Sequence, residues 1–173
     1  MLKDLPRYEC ILEAAQQFPD LDPSACEAYL QLLRAADDIF HAREAILAGH
    51  ELSQGRFTVL MLLLDKLENR AIPRTPAELA DSAGVTRATM TGLIDTLERD
   101  GLVKREPDPI DRRMMSVHLT ARGHEVLREV LPGHFKWMAA MMRPLSEGER
   151  KTLVRLLTKI SQRAETPPAS AVV

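Results

Sequence analysis

At 173 residues and 45% hydrophobic side chains, the chain is long enough for one domain with its own core plus extensions. Aromatic residues make up only 4%, which together with few β-branched runs argues against a large sheet, and no apolar run approaches the ~20 residues that span a bilayer. The net charge of −2 hides an uneven distribution: residues 1–69 carry 6 Lys/Arg against 12 Asp/Glu, residues 70–123 carry 9 against 8, and residues 124–173 carry 8 against 5. Any nucleic-acid contact must therefore come from locally clustered arginines and not from overall charge.

The opening MLKDLPRYEC lacks the apolar core of a secretory signal, so a cytoplasmic location is expected. Residues Leu5 to about Phe18 predict a short helix with Leu5, Tyr8, Ile11 and Leu12 on one face, stopped at Phe18-Pro19-Asp20. Ser24-Ala25-Cys26-Glu27 reads as a capping box opening a long helix that ends before Gly49. Tyr29, Leu30, Leu33, Ala36, Ile39 and Phe40 recur along it at helical spacing. Ser53 caps a third helix, whose run FTVLMLLLDKL is apolar nearly all round and is expected in the middle of the domain.

Thr75-Pro76-Ala77-Glu78 combines an N-cap, a proline at the first helical position and a capping-box glutamate. That helix stops at Gly84, and Thr86 caps the next, which turns Met90, Leu93, Ile94 and Leu97 inward before Asp100-Gly101 ends it. LVKRE and MSVHLT then switch to period two as short strands joined by the loop PDPIDRRM. A helix resumes at Ala121 and is expected to kink, not stop, at Pro132-Gly133. Ser146-Glu147-Gly148-Glu149 opens the last helix, with Leu153, Leu156, Leu157 and Ile160 in one stripe, and the tail TPPASAVV has the composition of a disordered segment.

Helix, short glycine turn, helix and two-stranded hairpin is the layout of a winged helix-turn-helix, whose second helix enters the major groove. With its apolar residues turned inward, that helix presents Arg87, Ala88, Thr91, Gly92 and Asp95 outward, with Thr89 towards the edge of that face and the amides at the Thr86 end suited to a phosphate oxygen. Mostly short side chains allow close approach, threonine hydroxyls and methyls can meet bases or phosphates, and Arg87 can reach guanine or phosphate. Asp111, Arg112 and Arg113 fall in the hairpin loop, where an arginine can enter a narrow minor groove while Asp111 holds Arg113 in place. A winged helix that binds only proteins would not need this loop. No Gly-rich phosphate loop, HExxH or nucleophile elbow occurs, so an enzyme is disfavoured and no catalytic residue is expected. Cys10 and Cys26 lack CxxC spacing, so neither a metal site nor a disulfide is expected, and no cofactor is implied.

The stretch from TPAELADSAGVTRATM to the wing pattern DPxDRRxxxVxLTxxG, complete from Asp108 to Gly123, closely resembles the core of the MarR family of bacterial transcriptional regulators. The likeness extends more weakly over residues 24–163. It implies a mainly α fold with a small β-hairpin wing: a winged helix-turn-helix at about 53–120 flanked by dimerisation helices at 24–49 and 121–163. Residues 1–22 would form an N-terminal helical extension to a domain of residues 23–163, and residues 164–173 a tail. It further implies a homodimer on a pseudo-palindromic DNA operator, acting as a repressor that a small anionic or phenolic effector releases.

By the same resemblance, the effector crevice maps to Gln31, Arg34, Gln54, Phe57 and His134, with Arg34 as the anion partner through a bidentate carboxylate contact. Arg34 could equally cap or pair with an acidic side chain of the partner subunit, and His134 could bond a carbonyl freed beside Pro132. Peroxide-sensing members carry a cysteine eight residues before an arginine, as Cys26 stands before Arg34. Gln54 occupies the place of the tyrosine that would support such a thiol, so Cys26 is read as structural. The sole tryptophan, Trp137, lies far from the N-terminal extension where urate-binding members carry theirs, and with Met138, Met141 and Met142 it is read as core or dimer packing.

Overall fold

Seven helices and one antiparallel hairpin follow one another in the described residues, 4–64, 73–107 and 114–164, of the computed structural model. The helices are α1 (Tyr8–Gln17), α2 (Pro23–Ala48), α3 (Gln54–Leu62), α4 (Pro76–Ala83), α5 (Arg87–Arg99), α6 (Ala121–Met142) and α7 (Glu147–Ala164). The strands are β1 (Val103–Pro107) and β2 (Met115–Leu119). None of the described helices is long and apolar enough to cross a membrane. Two units divide the chain, one up to Leu127 and one from Arg128 onward.

Local chemistry sets most helix ends. Thr75 and Glu78 close a full capping box, with the Glu78 amide donating to Thr75 Oγ1 at 3.3 Å and the Thr75 amide to Glu78 Oε2 at 2.8 Å. Gly84 ends α4 at φ +64°, and Gly101 follows α5 at φ +72°, conformations that cost glycine little. The start of α2 corrects the sequence reading. Asp22, not Ser24, is the N-cap, its Oδ1 accepting from the amides of Ser24 at 2.9 Å and Ala25 at 3.1 Å. A carboxylate is the stronger acceptor, and Pro23 fits the first helical position because it has no N–H to leave unpaired. The third helix also stops earlier than its apolar run, at Leu62, and the end of that run falls in residues 65–72, outside the described residues.

In the first unit α3 packs among α2, α4 and α5. Phe57, Val59, Leu60, Leu79, Met90, Ile94, Leu97, Val103 and Val117 are all buried there. Burying that much apolar surface, at about 25 cal/mol per Å², is what fixes α4 and α5 against the central helix. Residues Val103 and Leu119 face each other at the base of the hairpin, and Pro107 and Met115 at its far end. Arg74, just ahead of α4, pairs with Val117 on the other side of β2, through amide-to-carbonyl bonds of 3.2 and 2.8 Å.

The last residues of the wing pattern have a packing reason. Thr120 Oγ1 donates to the Gly101 carbonyl at 2.7 Å and accepts from the Gly123 amide at 3.0 Å, so one hydroxyl joins the end of α5 to the first turn of α6. A Cβ on Gly123 would lie 2.2 Å from the Leu102 carbonyl oxygen, a contact that no real side chain makes. Only glycine fits.

In the second unit α6 continues as helix through Pro132, which cannot donate to the carbonyl four residues before it. The His134 ring stacks on Trp137 at 5.9 Å between centroids and 27° between planes. Ser146 and Glu149 form the expected capping box of α7, a helix without a single fully buried side chain. The tail from residue 165 lies outside the described residues.

Candidate nucleic-acid interface and effector crevice

Thr86 caps α5, its hydroxyl oxygen accepting from the Thr89 amide at 3.1 Å. Met90, Ile94 and Leu97 are buried and Leu93 half-buried, so Arg87, Ala88, Thr89, Thr91, Gly92 and Asp95 are left exposed together on the opposite side. The threonine hydroxyls are turned toward their own helix. Thr91 donates to the Arg87 carbonyl at 2.9 Å, and the Thr86 and Thr89 hydroxyls lie 2.9 Å apart. Their unused lone pairs and their methyl groups remain available to a partner.

Gly92 is the most informative position on this face. A glycine inside a helix costs roughly 1 kcal/mol relative to alanine, and a Cβ here would meet nothing within 4 Å. Nothing among the described residues requires its absence.

Asp95 is exposed, yet its carboxylate is engaged. Arg105 on β1 donates through Nη2 to Asp95 Oδ1 and through Nη1 to Glu98 Oε2, both at 2.5 Å, and its amide donates to Glu98 Oε1 at 2.9 Å. One arginine thus clamps the wing strand to the outward helix. The sequence reading missed Arg105 and Glu98. Their signal was a pair of acids one helical turn apart, followed by a basic residue at a strand position that alternation turns toward them. Asp111, Arg112 and Arg113 lie outside the described residues. Between the start of α4, the outer face of α5 and the far end of the hairpin at Met115 lies an apolar cavity of about 310 Å³, lined by Thr75, Pro76, Arg87, Thr91, Met114 and Met115 among others.

The residues mapped to the effector crevice are placed unequally. Arg34 is half-buried and pairs with Asp38 one turn along α2 at 2.9 Å, while Gln31 is exposed. Gln54 is buried, with both ends of its amide engaged. Nε2 donates to the Phe40 carbonyl at 2.7 Å and Oε1 accepts from Arg43 Nε at 3.0 Å and from Arg43 Nη2. It ties α3 to α2, a structural duty the sequence did not suggest. Phe57 is buried beside it on α3, and His134 is buried in the second unit. Cys26 is a half-buried free thiol near the start of α2.

Comparison with known proteins places this geometry. Residues 52–115 match the MarR family. The chain is similar to the HTH-type transcriptional repressor YetL of Bacillus subtilis (strain 168), with 39% identity over 162 residues covering 94% of this chain and 95% of the relative. Among solved structures it is similar to the transcriptional regulator MOSR of M. tuberculosis in complex with DNA, with a TM-score of 0.61 and 28% identity over 80% of this chain and 96% of that one. It is also similar to Bordetella bronchiseptica BpsR, whose DNA binding is regulated by 6-hydroxynicotinic acid. That match has a TM-score of 0.60 and 25% identity over 76% of this chain and 98% of the other.

Proposed function

This chain belongs to the MarR family of transcriptional regulators, and from that premise we propose that it is a repressor that binds a pseudo-palindromic operator as a homodimer and is released by a small anionic or phenolic effector. The observation that carries the reading is the outer face of α5, where short polar side chains and an unforced glycine stand exposed in one row. Such a face suits close entry into a major groove, with Arg87, Thr89 and Thr91 meeting base edges or phosphates, the amides at Thr86 facing a phosphate oxygen, and Gly92 leaving room. Asp95 serves this face indirectly, by holding Arg105 and hence the wing strand. Arg112 and Arg113, supported by Asp111, contact the minor groove.

Homodimer formation accounts for apolar side chains that the single chain leaves in water. Val154 and Ile160 on α7 are 65% and 51% exposed, and Tyr29 and Phe40 on α2 are 60% and 53% exposed, more than scattered surface residues require. An effector response would parallel BpsR, whose DNA binding is regulated by 6-hydroxynicotinic acid, with Arg34 as the anion partner in a crevice that also includes Gln31, Gln54 and Phe57.

Selection from random DNA, followed by sedimentation of the free protein and the complex, tests the proposal. Two half-sites about one helical turn apart and a dimer at micromolar concentration are expected. A stable monomer that selects no sequence would overturn it, because one winged helix has too small a footprint for tight specificity.

A further inference from the structure

A second feature of the first unit is a polar cleft of about 350 Å³ where the α2–α3 turn, the C-terminal end of α5 and the first turn of α6 meet. Three guanidiniums, Arg56, Arg99 and Arg122, line it against the carboxylates of Asp100 and Glu51, leaving net positive charge. The side chain of Arg56 is only 17% exposed and is held by two bonds, Nη2 to Asp100 Oδ2 at 2.5 Å and Nη1 to the Glu51 carbonyl at 3.1 Å. Its Nε is buried without an acceptor among the described residues. Leaving a buried charged donor unmet costs free energy that a fold rarely spends without use.

Arg99 reaches the same Asp100 carboxylate only at 3.3 Å and is mostly exposed, and Arg122 has no carboxylate partner among the described residues. Glu51, whose carbonyl orients Arg56, is the only described non-glycine residue with positive φ, at +56°. Strain of this kind gathers where a site is held in shape. Beneath the charges, Leu52 and Leu102 supply a buried apolar floor. A mixed lining of this size is typical of small-ligand sites.

We propose that this cleft binds a small organic oxyanion, a carboxylate or a phosphate monoester with an apolar body, separately from the crevice around Arg34. The oxyanion takes the donors of Arg56, Arg99 and Arg122 that Asp100 satisfies only in part, and the apolar body lies on Leu52 and Leu102. Because Asp100 is the C-cap of α5, the bound anion competes with a carboxylate of the helix that carries Thr86 to Gly92.

The test is calorimetric titration of the full chain, without DNA, with benzoate, phenyl phosphate and inorganic phosphate. Wild type should bind benzoate or phenyl phosphate, and the tighter of the two identifies the headgroup. Arg99→Ala/Arg122→Ala removes two exposed charges and should weaken binding by roughly tenfold or more. Asp100→Asn removes the internal competitor and should tighten it, and both effects should persist on an Arg34→Ala background, which removes the contribution of the crevice around Arg34. The proposal fails if no organic probe binds, if inorganic phosphate binds alone, if Asp100→Asn weakens binding, if the double variant binds like wild type, or if both effects vanish on the Arg34→Ala background.

Discussion

Substituting Gly92 by alanine should move stability and DNA binding in opposite directions. The position is interior to α5, and the added Cβ meets nothing within 4 Å. Relief of the glycine penalty is worth about 0.5–1 kcal/mol, which for a chain of this size corresponds to a rise in melting temperature of about 1–4 °C. Against DNA the same methyl occupies the space that close approach needs. A misfit of one methyl in a packed interface costs roughly 1–3 kcal/mol, or about 5-fold to 150-fold in affinity. Thermal melts followed by circular dichroism give the first quantity, and fluorescence anisotropy with the selected operator gives the second. Measured at two salt concentrations, the variant should keep the wild-type salt slope, because no phosphate contact is removed. A Gly92→Ala protein that melts higher and binds its operator as tightly as wild type would refute the idea that this face enters the groove.

Gly123→Ala has the opposite stability sign: the 2.2 Å approach to the Leu102 carbonyl must be relieved by backbone movement, and a loss of about 1–3 kcal/mol should appear as a lower denaturant midpoint. Arg113→Ala should weaken binding to many sequences alike and flatten the salt dependence in gel shifts, whereas Asp111→Ala, although it adds positive charge, should also weaken binding under the proposed role of Asp111 in supporting Arg113. Arg34→Ala should leave operator affinity nearly intact while raising the effector concentration needed for release; loss of the dimer instead would mark Arg34 as structural. The Asp22 carboxyl is held below its usual range by the amide of Ala25 and by Ser24, and that of Glu149 by the hydroxyl and amide of Ser146. Depressed folded-state values mean stability that is fully present above the ordinary carboxylate range, near pH 4, and lost as pH falls through the depressed values. Melting temperature should therefore be flat near neutral pH and drop below about pH 4, less steeply in Asp22→Asn.

What the sequence disclosed was mainly what short-range chemistry decides. The boxes at Thr75–Glu78 and Ser146–Glu149 close over three residues and need no tertiary partner, so their spelling was sufficient. The buried face of α5 followed from period alone. Where two signals competed at short range, the reading slipped: Ser24 looked like a cap until Asp22 and Pro23 took the role. Longer reach was illegible. Arg105 meets Asp95 ten residues back only because α5 turns into β1 at Gly101, and Gln54 meets Arg43 across the α2–α3 turn. Pairings of this kind depend on how elements pack, which composition and periodicity do not encode. The MarR resemblance mapped Gln54 to an effector crevice, but gave no sign of the structural duty that Gln54 performs between α2 and α3.

The short pairing of Arg74 with Val117 has a consequence for solubility. A two-stranded hairpin offers two open edges to any passing strand, and such edges seed aggregation. Here Arg74 occupies the outer side of β2, while β1 reads Lys104, Arg105, Glu106 and Pro107 in succession. A proline that cannot donate and three charged side chains make a poor template for strand addition. The described strands therefore offer little means to grow fibres, and the proposed dimer would rest on the apolar faces of the helices.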